Sequence, residues 1–141
     1  VGKDADNLYI TCKVKDGELY SGGQGTQKGS GVFIYLDTKN ECLKEPAEGV
    51  YKVWCSYKGD ITVWQGNKGK WENSELEGLQ ITPSVVSGGY ELAFTIPLNR
   101  SFNKDAMRLC ATLSTKTYTE TLVHSNADRS CTWMKMNLGG H

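Results

Sequence analysis

The sequence predicts an all-β fold, a two-sheet antiparallel β-sandwich of jelly-roll-like form with little helix. Two observations carry this. Apolar and polar residues alternate in short runs along the chain, the period-two pattern of strands with one face in a core and one in solvent. Turn residues separate the runs, with 16 glycines among 141 residues, and no stretch sustains the 3.6-residue period of an amphipathic helix. Roughly seven to ten short strands divided by turn signals is a sandwich pattern. No repeat or linker divides residues 1–141 into more than a single domain.

In chain order, Leu8, Ile10, Cys12 and Val14 alternate with Tyr9, Thr11, Lys13 and Lys15, ending at the turn Asp16-Gly17. Residues 17–31 form a Gly/Ser/Gln loop too polar for a core, which reads as a mobile or binding loop. Val32, Ile34 and Leu36 then face the core, with Phe33 and Tyr35 opposite. After a charged loop over 38–48, Tyr51, Val53 and Cys55 face inward while Lys52 and Trp54 face away. A short Lys58-Gly59-Asp60 hairpin leads to Ile61 and Val63, opposed by Thr62 and Trp64. Residues 65–71 read as a turn carrying Trp71, and Leu79 and Ile81 begin a short strand that stops before Pro83. The most regular alternation sets Tyr90, Leu92, Phe94 and Ile96 against Glu91, Ala93 and Thr95, and Pro97 closes it because proline cannot donate to a ladder. Residues 99–106 read as a loop or one helical turn, and Met107, Leu109, Ala111 and Leu113 as a strand. Residues 117–123 are β-prone and 124–130 form a polar loop. Thr132, Met134, Met136 and Leu138 make the closing strand, with Trp133 and Lys135 on its other face.

Phe33, Tyr35, Trp54 and Trp64 thus share the parity that should be wet. Large aromatics collected there predict an exposed flat patch, and such patches mark binding sites. The competing reading is a satellite cluster under a loop. Trp133 has the parity to join the patch or to pack at a sandwich edge; Trp71, in a turn among glycines and lysines, reads as an exposed binding ring. Tyr20 either folds over a ligand or anchors its polar loop. Lys52, Glu91 and Gln65 offer polar groups on the same face, although Lys52 and Glu91 also suit a cross-strand ion pair.

Sixteen basic and 16 acidic residues balance to a net charge of zero. That argues against nucleic acid, which needs a basic surface, and against electrostatic attachment to a membrane. No apolar run approaches the roughly 20 residues of a spanning helix. The start at Val1, with no leader, reads as a processed or excised segment. Of five cysteines, Cys12 and Cys55 fall on core parity and read as small buried hydrophobes. Cys42 lies in a loop, and Cys110 and Cys131 lie in late strands. Without a Cys-x-x-Cys pair a zinc site is not expected. The cysteines read as mostly free thiols, as suits a secreted protein of an anaerobe, with one disulfide as the alternative. Asn99-Arg100-Ser101 is a glycosylation sequon that matters only in a eukaryotic secreted protein. No nucleophile motif is present, and His124 is the one internal histidine, so no catalytic residues are assigned.

The ordered segments DADNLYI (4–10), GVFIYLD (31–37), VYKV (50–53) and GGYELAFTIPL (88–98) together resemble the family 9 carbohydrate-binding modules and the wider DOMON-like sandwiches. The resemblance covers 4–138 and implies a sugar-binding sandwich, often holding structural calcium, attached to a secreted plant-polysaccharide hydrolase. Where family members of the xylanase-attached type carry a tryptophan and a glutamate, this chain has Gln27 and Phe33; Lys52 stands for a binding arginine. The family's second sandwiching tryptophan matches the loop of Ser125, Asn126, Ala127, Asp128 and Arg129. These departures point to a platform or open groove, with Asn126 and Arg129 in the loop matching the family's binding loop. Asp4, Asp6, Asp37 and Glu41 offer hard oxygens for the implied calcium. Some DOMON domains hold haem through Met and His, but Met134 and Met136 share core parity and read as packing residues.

The expectation is therefore a noncatalytic, monomeric module of a larger secreted or cell-surface bacterial enzyme, binding a β-glucan or xylan type polysaccharide. Its expected ligand residues are Trp54, Trp64, Trp71, Trp133, Tyr35, Phe33, Lys52, Tyr20, Glu91, Asn126 and Arg129. The alternative is a protein-interaction or adhesion domain using the same face.

Overall fold

Alternation along the chain becomes two stacked sheets. A computed structural model describes residues 1–20, 29–115, 119–121, 129–130 and 133–138. Its strands are β1 (Gly2–Lys3), β2 (Asn7–Lys15), β3 (Gly31–Asp37), β4 (Val50–Ser56), β5 (Ile61–Asn67), β6 (Lys70–Asn73), β7 (Gln80–Val86), β8 (Gly89–Pro97), β9 (Ala106–Ser114), β10 (Thr119–Thr121) and β11 (Met134–Asn137). No α-helix occurs among the described residues. The smaller sheet has the order β1-β2-β8-β7 and the larger β10-β9-β3-β4-β5-β6, with β11 also on β9. Because β3 takes one edge of β9, β10 and β11 share the other, pairing with Thr112–Ser114 and with Ala106–Leu109 respectively. Every pairing is antiparallel.

The core lies between the sheets and follows the expected parity. Leu8 and Ile10 of β2 and Tyr90, Leu92, Phe94 and Ile96 of β8 meet Val32, Ile34 and Leu36 of β3, Val53 and Cys55 of β4, and Met107 and Leu109 of β9. Cys12 and Val14 pack against the same cluster. Cys12, Cys55 and Cys110 are thiols, whereas Cys42 is disulfide-bonded, so the one-disulfide alternative holds. Cys131 lies outside the described residues.

Three elements depart from expectation. Residues 65–71 are not one long turn: β5 continues to Asn67 and β6 starts at Lys70, so Trp71 stands in a strand opposite Gly66. The connection is Lys68-Gly69, with φ of 49° and 85°, the left-handed pair that a two-residue hairpin of matching twist requires. The strand after Leu79 does not stop at Pro83 but runs through it to Val86. An edge strand tolerates this because one side of it makes no ladder bonds, and β7 ends its sheet. Met134 shares inward parity with Leu109 yet is 46% exposed, because it sits on the outermost strand of the larger sheet.

Phe94, 1% exposed at the sandwich centre, sets the scale of this core. Phe94→Ala should cost roughly 3–5 kcal/mol in a urea titration, and a loss under about 1 kcal/mol would place the ring outside the core.

A second expectation concerns alkali. Burial pushes the Cys55 thiol up to about 12 from 9.0, helped by Asp60 and Cys12, and burial likewise raises the Tyr90 hydroxyl. The native state holds both protons after the unfolded chain has released them, so stability is level below about pH 9 and declines as the pH rises towards 12. Cys55 alone accounts for roughly 4 kcal/mol across that window. Urea midpoints measured from pH 8 to 11 should fall accordingly, and a flat profile would contradict the burial.

Candidate functional site

The outer face of the larger sheet collects the aromatic side chains left over from the core. Strand register arranges them in rows. One runs Cys110, Tyr35, Lys52, Trp64, Asn73 across β9, β3, β4, β5 and β6. The next runs Thr112, Phe33, Trp54, Thr62. A third holds Arg108, Asp37 and Val50, and on the side of β5 and β6 the Gly66–Trp71 pair has the same facing.

This face is only partly wet. Trp54 is 1% exposed, Trp133 3% and Tyr35 6%, which corrects the expectation of an open platform through them. Two local causes account for it. The Trp54 ring lies over Gly31, where an added Cβ would come within 2.5 Å of Cη2, and against Phe33, with centroids 4.8 Å apart. The loop between β3 and β4 folds back over the face. The buried Asp37 carboxylate accepts the Glu41 and Cys42 N–H groups at 3.2 and 3.0 Å. Arg108 Nε donates to Asn40 Oδ1, and Leu43 N–H donates to Ser130 Oγ. Leu43 then packs on a cluster of Tyr35, Val50, Cys110 and Trp133, and the backbone of Pro46 and Ala47 crosses Gly66 so closely that a Cβ there has no room. This is the satellite cluster that competed with the platform reading.

What stays accessible is a strip of half-buried residues: Phe33, Lys52, Trp64 and Trp71. Phe33 lies 6.4 Å from Trp64 and 6.2 Å from Tyr35, and Tyr35 lies 6.1 Å from Trp71. The Lys52 ammonium sits among them, 4.8 Å from the Trp64 centroid and 5.2 Å from that of Phe33. At the β5–β6 hairpin, Glu48, Gln65, Gly66, Asn67, Glu72, Asn73 and Ser74 line a polar cleft of about 340 Å³, where Gln65, Asn67 and Glu72 have the facing opposite to Trp64 and Trp71. Asn67 Nδ2 donates to Glu72 Oε1, and Gln65 Oε1 accepts the Gly49 N–H. Sequence reading missed this cleft because it depends on the β5–β6 hairpin; the Asn-Lys-Gly-Lys turn at 67–70 was the available signal.

Other expected residues lie elsewhere. Glu91 belongs to β8 of the smaller sheet, facing Lys13 and Ser84 in register, so it neither shares a face nor pairs with Lys52; parity fixes a face but not a sheet. Gln65, one residue on from Trp64 and opposite Tyr51, has the inward facing. Tyr20 is exposed and its backbone is tied to Ser30 at both N–H and C=O. Arg129 is exposed, and Gln27, His124, Asn126 and Asp128 lie outside the described residues. The acidic set divides. Asp4 accepts N–H bonds from Asp6 and Asn7 and the Tyr9 hydroxyl beside β1, and Asp37 and Glu41 lie at the far end of β3. Among the described residues no three His, Cys, Asp or Glu side chains converge to hold a metal.

No family model matches this sequence and no curated protein is detectably similar to it. Its fold is that of solved carbohydrate-binding modules. A family 9 module from Caldicellulosiruptor kristjanssonii in complex with cellotriose superposes with a TM-score of 0.78, covering 99% of this chain and 72% of its own at 15% identity. A second structure, a family 9 module of that organism in complex with glucose, gives the same TM-score and identity, with 74% of its chain covered. The expected two-sheet sandwich of this family's form is thus the observed fold.

The two inner-strand tryptophans of this face should separate in a melt. Trp54→Ala should cost roughly 3–5 kcal/mol, as a buried ring does, and Trp64→Ala less than half of that. Equal losses in urea titrations would mean that Trp64 is packed as deeply as Trp54.

Proposed function

We propose that this protein is a noncatalytic carbohydrate-binding module whose site is the strip of Phe33, Trp64 and Trp71 on the outer face of the larger sheet. The observation that carries the reading is that these rings are half-buried on one face while their neighbours Trp54, Tyr35 and Trp133 are covered. Sugar rings present apolar C–H faces that stack on aromatic rings, and their hydroxyls need planar polar partners. Asn73, directly across from Trp64 and exposed, is a partner of that kind. The cellotriose and glucose held by the structural neighbours support a β-glucan oligosaccharide as ligand. Attached to a secreted hydrolase, such a module raises the effective concentration of enzyme at its polymer.

Binding by one face of a few rings is weak, so each ring counts. Millimolar affinity is only about 4 kcal/mol, and stacking on one aromatic contributes roughly 1–3 kcal/mol if sugars behave as bases do. Trp64→Ala and Trp71→Ala should each weaken cellotriose binding by about fivefold or more, with unchanged far-UV circular dichroism. Titration calorimetry with cellotriose, backed by affinity electrophoresis in soluble β-glucan and xylan, checks this. Folded variants that bind as well as the parent would move the site away from this strip, and a parent that retains none of these glycans would remove the carbohydrate reading.

A further inference from the structure

Lys52 stands in the middle of the outer face, on β4 between Tyr35 and Trp64 in register. Its Nζ lies 4.8 Å from the Trp64 ring centroid, 5.2 Å from Phe33, and 5.9 Å from both Tyr35 and Trp71. A cation is drawn to an aromatic face within about 6 Å of the centroid. Four rings of the one sheet face lie within that reach of this single ammonium. The four rings are not equally held by packing. Tyr35 is buried between Trp71 and Trp133, and Phe33 rests on Trp54 and Tyr35. Trp64, on β5, meets Phe33 at 6.4 Å between centroids, and Trp71, on the terminal strand β6, packs on the cluster of Tyr35, Val50, Cys110 and Trp133.

We infer that Lys52 is a positioning residue of this face: its ammonium fixes the angles of Trp64 and Trp71 and so preorganises the ring strip before any ligand arrives. Preorganisation strengthens binding because the ordering cost is met in folding and not in association. Lys52 then acts through the rings, and its methylene stem fills the space beneath its charged end. The ligand assignment rests on the carbohydrate reading above, but the positioning itself is read without any ligand.

The test compares the parent with Lys52→Met, which keeps the volume and removes the charge, and Lys52→Arg, which keeps a cation able to stack on rings. Near-ultraviolet circular dichroism of the unliganded proteins reports tryptophan orientation, and calorimetry reports cellotriose affinity. Lys52→Met should change the tryptophan bands and weaken cellotriose at least tenfold, and Lys52→Arg should restore the bands and most of the affinity. If Lys52→Met unfolds, Lys52→Gln takes its place, with a polar end and no charge. Unchanged tryptophan bands in the uncharged variant overturn the inference, whether or not affinity falls, because a fall alone would mean direct contact with the sugar. Altered bands with undiminished affinity overturn it as well. A parent that binds no glycan defeats the carbohydrate reading, and the bands of the unliganded variants still decide the positioning.

Discussion

The buried Asp37 carboxylate determines how much of the aromatic face reaches solvent. A carboxylate without exposure is costly unless its oxygens are occupied, and here both oxygens accept backbone N–H groups from the loop that follows β3. Those bonds turn the chain back on itself, with Asn40 and Cys42 in left-handed conformations at φ of 53° and 59°. Thr38 and Asn103 extend the anchorage: the Thr38 hydroxyl donates to the Gly49 carbonyl and the Asn103 N–H to the Thr38 carbonyl. With its ends pinned in this way, the loop lays Leu43 on Tyr35 and Trp133 and passes its backbone over Gly66. The aromatic strip is what the loop leaves uncovered.

Strand parity was legible in the sequence, and exposure was not. Every core residue of β8 and β3 fell on the side that alternation assigned, because a period of two fixes facing directly. The same alternation placed Trp54, Tyr35 and Trp133 on the outer face, correctly, but says nothing about what lies above that face. The covering loop carries Lys39, Glu41, Lys44, Glu45 and Glu48, so its composition reads as solvated. The residues that do the covering, Leu43 and Ala47, are outnumbered by these charges. Two glycines on outward parity, Gly31 and Gly66, mark where a ring and a backbone approach the sheet, and this was the sequence signal for burial. Glu91 failed for a different reason. Assigning it to the face of Lys52 required knowing that β8 and β4 share a sheet, and in fact they lie in opposite ones.

The two outer faces of the sandwich differ in kind. That of the smaller sheet carries Thr11, Lys13, Glu91, Ala93, Thr82 and Ser84 in register, all small or charged, as a solvated face should be. Its one ring among these strands, Tyr9, has its hydroxyl committed to Asp4. Among the described strands the rings outside the core other than Tyr9 gather on the larger sheet, and there they are graded from fully covered at Trp54 to half-buried at Trp64 and Trp71. A face selected only for solubility would carry few rings, and one selected only for packing would bury all of them. The intermediate state, with an ammonium set among the rings that remain accessible, satisfies neither requirement fully. Stacking of a polar ligand with apolar ring faces requires this combination: ring surface open to solvent, polar groups at its margin, and a support rigid enough that the rings do not collapse into one another before the ligand arrives.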